Sequence, residues 1–217
     1  LFRSTMTINS LYGLYLISDE SLIDQEKYFE YLDHVLSAGP KIFQLRIKNS
    51  SEKEILYKSK ELRKITKKHN VIFIINDYPE IVSKVNADGL HIGKYDMDIE
   101  KCFNIIGNNK ILGVSCYGDL ERVNYYVNKS VSYIAIGTPY FTKTKPDREP
   151  TSLDTMIRAV SLRKNIPIFA IGGIEIDNVN EIMRTGVSGV AVINGVFSYK
   201  NSREKILEFN NLLKEFG

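Results

Sequence analysis

Eight short apolar runs recur along the chain, each separated from the next by a polar or amphipathic stretch. They are Leu14–Ile17, Ile42–Leu45, Val71–Ile75, Gly89–Ile92, Ile111–Val114, Tyr133–Ile136, Ile168–Ile171 and Gly189–Ile193. The runs are rich in Ile and Val and do not alternate apolar with polar, the pattern of strands covered on both faces in a parallel sheet. Between them, Tyr28, Phe29, Leu32, Val35 and Leu36 recur at the helical period, as do Ile206, Phe209, Leu213 and Phe216. Gly39-Pro40 marks a helix stop, and Ser152 and Asp177-Asn178 are candidate N-caps. Eight strand–helix units of roughly 25 residues with right-handed crossovers predict an α/β fold closed as a (β/α)8 TIM barrel. An open doubly wound sheet is the alternative. It is weakened because no glycine-rich dinucleotide fingerprint follows the first run.

A chain of 217 residues suits one such barrel, and no linker or low-complexity tract interrupts it, so residues 1–217 are read as a single domain. Leu1–Thr5, ahead of Met6, are expected to be a non-native or disordered leader outside the fold. A net charge of +3 without a dense Lys/Arg block speaks against a nucleic-acid partner. Neither a membrane-spanning run nor a signal-peptide pattern is visible, which predicts no membrane partner and a cytoplasmic location. Cys102 and Cys116 have neither metal-ligand spacing nor a disulfide framework. The oligomeric state stays open, a homodimer being one option.

In a barrel the chemistry collects where strands end at their C-terminal side, so the polar residues that follow each apolar run carry information. Gln44, Arg46 and Lys48 alternate at period two, which aims all three at the barrel mouth. An Arg fork beside a Lys point charge suits a phosphate or pyrophosphate. Asn76-Asp77 closes the third run, and Asp96 follows the fourth after His91 and Gly93. Two carboxylates beside such cations suit Mg²⁺, which protein sites hold through one or two carboxylates plus substrate phosphates. A helix cap at Asp77 and a turn at Asp96 fit the spacing equally well. His91 reads as a hydrogen-bonded structural histidine.

Ser115 ends the fifth run without a partnered His that would make it a nucleophile. The longer segment after the sixth run brings Thr142, Lys143, Thr144 and Lys145 together, which suits an anion-binding flap, a solvated basic loop being the alternative. The last two runs end at Gly172-Gly173 and at Ile193-Asn194-Gly195, where barrels often bind phosphate on backbone N–H groups.

Seven motifs in register resemble thiamine phosphate synthase. They are Gln44-Leu45-Arg46-x-Lys48, Ile75-Asn76-Asp77, Ala87-Asp88-Gly89-x-His91-x-Gly93-x-x-Asp96, Gly113-Val114-Ser115, Thr142-x-Thr144-Lys145-Pro146-Asp147, Ile171-Gly172-Gly173-Ile174 and Gly189-Val190-Ala191-Val192-Ile193. The resemblance spans Leu14 to Phe197. It implies a transferase of thiamine biosynthesis that condenses a pyrimidine pyrophosphate with a thiazole phosphate. The products are thiamine phosphate and pyrophosphate, formed by a dissociative, Mg²⁺-assisted route. By the same resemblance Arg46, Lys48 and Lys145 hold the pyrophosphate, with Gln44 and Asn76 nearby, and Asp77 and Asp96 carry Mg²⁺. Ser115 contacts the departing pyrophosphate or the pyrimidine. Thr142, Thr144, Gly173, Ile193 and Asn194 receive the thiazole phosphate. Lys94 and Asn194 depart from the family's usual Gln and Ser. A thiazole tautomerase of the same fold is the nearest rival, but its chemistry has no use for the Mg²⁺–pyrophosphate set. Another phosphate-sugar barrel and a non-catalytic thiazole phosphate or thiamine phosphate binding module are the others.

Overall fold

The computed structural model describes residues 11–93, 97–142 and 149–217. Eight parallel strands pair in sequence order, and the last closes on the first. They are β1 (Gly13–Ile17), β2 (Ile42–Leu45), β3 (Ile72–Asn76), β4 (Gly89–Ile92), β5 (Ile111–Tyr117), β6 (Tyr133–Gly137), β7 (Ile168–Ile171) and β8 (Gly189–Val192). That closure excludes the open sheet. Around the barrel lie α1 (Tyr28–Leu36), α2 (Glu52–Lys68), α3 (Pro79–Val85), α4 (Ile99–Ile106), α5 (Leu120–Tyr126), α6 (Leu153–Leu162), α7 (Val179–Met183), α8 (Asn194–Phe197) and α9 (Ser202–Leu213). Among the described residues no helix is long and apolar enough to cross a membrane.

The strands read as continuous apolar runs because they bury both faces, yet the pleat divides each run between two cores. Leu14, Leu16, Phe43, Leu45, Phe73, Ile75, Ile134 and Ile136 face outward and pack under the helices. Tyr15, Ile17, Ile42, Ile72, Ile74, Ile111, Tyr133, Phe169 and Ala191 fill the barrel interior. Following the inward positions along a strand gives Ile42, Gln44, Arg46 on one side and Ile72, Ile74, Asn76 on the next. The interior therefore changes from apolar to polar toward the C-terminal ends, and that gradient positions the site.

Local chemistry sets the helix ends. Ser51 Oγ accepts from Glu54 N at 3.2 Å to start α2, and Ser152 Oγ accepts from Thr155 N at 3.1 Å to start α6. Each such cap stabilises by about 1 kcal/mol. Gly39, at φ +70, ends the turn after α1 as expected, its N–H donating to Leu36 O at 3.0 Å. Asn178 departs from expectation. It occupies the N-cap position of α7, but its side chain accepts from Glu175 N and donates to Gly173 O, each at 3.0 Å. That amide braces the loop after β7.

At the opposite, N-terminal end of the barrel, the Asp88 carboxylate takes two hydrogen bonds from Arg63, at 2.7 and 2.8 Å. It takes a third from Phe73 N at 2.8 Å. This partly buried bidentate pair pins α2 to the starts of β3 and β4, far from the chemistry.

Candidate active site

A cavity of ≈ 270 Å³ opens at the C-terminal ends of the strands. Gln44, Arg46 and Lys48 line it together, as their period-two spacing predicted, although β2 itself ends at Leu45. Asn76, Asp77, Ser115, Thr142, Gly173, Ile193 and Asn194 line the same cavity. Asp96, Thr144 and Lys145, with Lys94 and most of the expected flap, lie outside the described residues.

Asp77 stands at φ +66, and its N–H donates to His91 O at 3.0 Å. Helix α3 starts after an N-cap at Tyr78 with Pro79 at its first turn, so Asp77 lies outside the cap position. The helix-cap alternative is thereby removed, and Asp77 lines the cavity. Ser18 couples the ends of β1 and β2. Its N–H donates to Gln44 O at 2.9 Å and its Oγ accepts from Arg46 N at 3.0 Å.

Strand β5 runs past the expected Ile111–Val114 to Tyr117, with a register shift against β6 between Ser115 and Tyr117. Bulges re-aim side chains. Here Ser115 and Tyr117 both line the cavity while Cys116 turns into the outer core, and Tyr117 sits at φ +57. Arg122, on α5, pins this distortion by donating to Ser115 O at 2.8 Å and to Gly93 O at 3.0 Å. Burial pushes the Cys116 thiol up to about 12, which keeps it protonated and unreactive at neutral pH.

Contrary to the sequence reading, Ser115 does have a histidine partner: His91 Nε2 lies 2.9 Å from Ser115 Oγ, and His91 Nδ1 lies 2.9 Å from Tyr133 Oη. The structural reading of His91 is right about its hydrogen bonds, but the side chain also lines the cavity. Tyr15, Tyr133 and Arg122 escaped notice in the sequence. The two tyrosines sit inside apolar runs, and the available signal was chemical: a buried phenol needs a partner.

The rim beside β7 and β8 is built for close backbone approach. Gly173 has φ +62, and a Cβ there would meet Phe141 O at 2.2 Å. The buried Thr138 hydroxyl donates to Gly172 O, and Thr151 N donates to Thr138 O at 3.0 Å. Glu175, on the same rim, has its carboxyl raised above the usual range by partial burial, with the Asp177 charge adding to the rise. Tyr199 Oη donates to it at 3.1 Å and opposes that shift.

The sequence profile of a family described as thiamine monophosphate synthase matches residues 14–196. The chain belongs to that family. Among its relatives, the thiamine-phosphate synthase of Alkaliphilus oremlandii is 36% identical over 193 residues, covering 89% of this chain and 91% of its own. That of Clostridioides difficile is 34% identical over the same shares. In three dimensions, thiamine phosphate pyrophosphorylase from Pyrococcus furiosus superposes with a TM-score of 0.87 at 32% identity, covering 96% of this chain and 98% of that one. A 3-hexulose-6-phosphate synthase from Salmonella typhimurium reaches a TM-score of 0.72 at 16% identity, covering 94% of this chain and 100% of that one, a likeness of fold alone. In this member of the thiamine monophosphate synthase family, Gln44, Arg46, Lys48, Asn76, Asp77 and Ser115 line one cavity.

Proposed function

We propose that this chain is a thiamine-phosphate synthase. It joins 4-amino-2-methyl-5-hydroxymethylpyrimidine pyrophosphate to 4-methyl-5-hydroxyethylthiazole phosphate and releases pyrophosphate. The observation that carries this reading is the meeting of Arg46, Lys48 and Asp77 on one cavity wall, with the glycine-bearing loops after β7 and β8 on the same rim. One cavity thus offers places for two phosphorylated groups.

The pyrimidine amino group can donate electrons toward the exocyclic methylene, so the bond to pyrophosphate breaks first. The thiazole nitrogen then bonds to that carbon and becomes the thiazolium nitrogen. No protein nucleophile enters, in keeping with the protonated Cys116. Arg46 and Lys48, joined by Lys145, hold the departing anion, and Ser115 contacts it from β5. Gln44 and Asn76 line the pyrimidine side. Thr142 and Thr144 would bind the thiazole partner. Its phosphate is received by backbone N–H groups around Gly173, Ile193 and Asn194, where α8 begins. The cavity holds the two reactants together and keeps water from the cationic carbon.

The donor chemistry fits Mg²⁺. Asp77 offers a hard carboxylate next to Asn76, at a rim where cationic side chains await phosphate. Among the described residues no three His, Cys, Asp or Glu converge as a protein-only cage would need. Mg²⁺ sites characteristically complete their shell with water and substrate oxygens. Asp77, with Asp96, would hold the ion, which when bound supplies charge neutralisation to the pyrophosphate. The buried Cys102 and Cys116, with no disulfide among the described residues, suit a reducing cytoplasm.

Asp77→Ala tests the metal assignment. Its far-UV circular dichroism should match that of the parent chain while Mg²⁺-dependent turnover falls by about 10²-fold or more. Normal turnover would remove Asp77 from the metal site.

A further inference from the structure

A file of hydrogen bonds crosses the barrel interior beneath the cavity and surfaces at Ser115. Gln44 Nε2 donates to Tyr15 Oη at 2.5 Å, and Tyr15 Oη lies 2.7 Å from Tyr133 Oη. Tyr133 Oη lies 2.9 Å from His91 Nδ1, and His91 Nε2 lies 2.9 Å from Ser115 Oγ. Four strands contribute the interior members: β1, β2, β4 and β6.

Each hydroxyl carries one hydrogen, so the direction of the file follows from its first member. Tyr15 accepts from Gln44, and its own buried hydrogen needs an acceptor, which Tyr133 Oη beside it supplies. Tyr133 accepts that hydrogen and gives its own to His91 Nδ1. Nδ1 is then an acceptor, which places the ring proton on Nε2, where it donates to Ser115 Oγ. The hydrogen of Ser115 is left for the cavity. Burial raises both phenols well above their ordinary range, so each stays protonated and able to donate.

Packing holds the file in register. The Tyr133 ring fills the space a side chain at Gly113 would occupy, with Cζ 1.9 Å from an ideal Cβ there. Tyr15 and Phe169 pack edge-on against that ring at 5.7 and 5.6 Å, and His91 stacks on it at 5.6 Å.

We propose that His91 is a positioning residue, fixed as its Nε2–H tautomer by the Gln44–Tyr15–Tyr133 relay, and that it holds Ser115 as a hydrogen-bond donor aimed into the cavity. The proposal rests on the synthase reading only for the donor's target, the anion that departs from the pyrimidine. A fixed donor needs no reorganisation as charge develops there. With the opposite direction of the file, His91 Nε2 would accept the Ser115 hydrogen and the cavity would lose its donor.

The test is the two-bond ¹H–¹⁵N spectrum of the histidine-labelled, substrate-free protein. His91 is assigned by elimination with His34→Gln and His69→Gln, neither of which lines the cavity. The expected result is a ring protonated at Nε2 and bare at Nδ1. A ring protonated at Nδ1, or at both nitrogens, overturns the proposal. Tyr133→Phe should remove the donor to Nδ1, so that His91 becomes a mixture of tautomers. Its kcat should fall about tenfold while KM for both substrates stays within about twofold, the loss of one hydrogen bond made in the transition state. An unchanged tautomer in Tyr133→Phe overturns the relay, and an unchanged kcat overturns the donor role of Ser115. The spectrum needs no turnover. An inactive protein with an Nε2–H ring would therefore remove the synthase reading and leave the relay in place.

Discussion

Asp77 and Asp88 stand at opposite ends of neighbouring strands, and the same carboxylate chemistry serves each differently. Asp77 follows β3 on the cavity wall, while Asp88 precedes β4 and binds Arg63 and Phe73 N at the far end of the barrel. Removing Asp88 leaves a partly buried guanidinium without its partner, a change that typically costs about 3 kcal/mol or more. Asp88→Ala should therefore lose about 3 kcal/mol in urea unfolding and keep the parental KM values. A raised KM with unchanged stability would place Asp88 in the site instead. Asp77→Ala should show the reverse pattern. Both residues belong to the motifs by which the chain resembles its family, so resemblance alone does not separate support from chemistry. The end of the strand on which each stands does.

At the level of elements, the strands and the aim of their polar ends were legible because both follow from a period of two. Gln44 lies in β2, Arg46 and Lys48 continue its spacing beyond the strand to the same cavity, and Asn76 follows Ile72 and Ile74 inward. The bulge in β5 was not legible. It depends on Arg122 reaching from α5 to Ser115 O and Gly93 O, a contact between elements that no local pattern encodes. The cap expected at Asn178 failed for a similar reason, since the amide found better partners in Gly173 O and Glu175 N. Tyr15 and Tyr133 looked like core because nearly all of each side chain is core; only the two oxygens, facing each other across the barrel, make them part of the site. Arg122→Met probes the bulge directly. Losing two charge-assisted hydrogen bonds should lower stability by about 2 kcal/mol, and the misplaced Ser115 should lower kcat as well. Full activity in a destabilised Arg122→Met protein would show that the bulge serves the fold alone.

Across the whole molecule, closure of the sheet turns eight unremarkable strand ends into one site. Residues from β2, β3 and β5, distant in sequence, meet the loops after β7 and β8 around a single cavity. Its apolar floor is Tyr15, Ala135 and Ile171, and its rim carries the cations and the carboxylate. That division matches a reaction in which a flat, largely apolar ring pair must be held dry while the phosphates stay at the mouth. The central claim is that this cavity couples the two substrates. The most direct test is formation of thiamine phosphate from purified pyrimidine pyrophosphate and thiazole phosphate, with Mg²⁺ and with EDTA. The account predicts product with Mg²⁺ and its loss with EDTA. A folded protein that binds thiazole phosphate yet forms no product under either condition would contradict it.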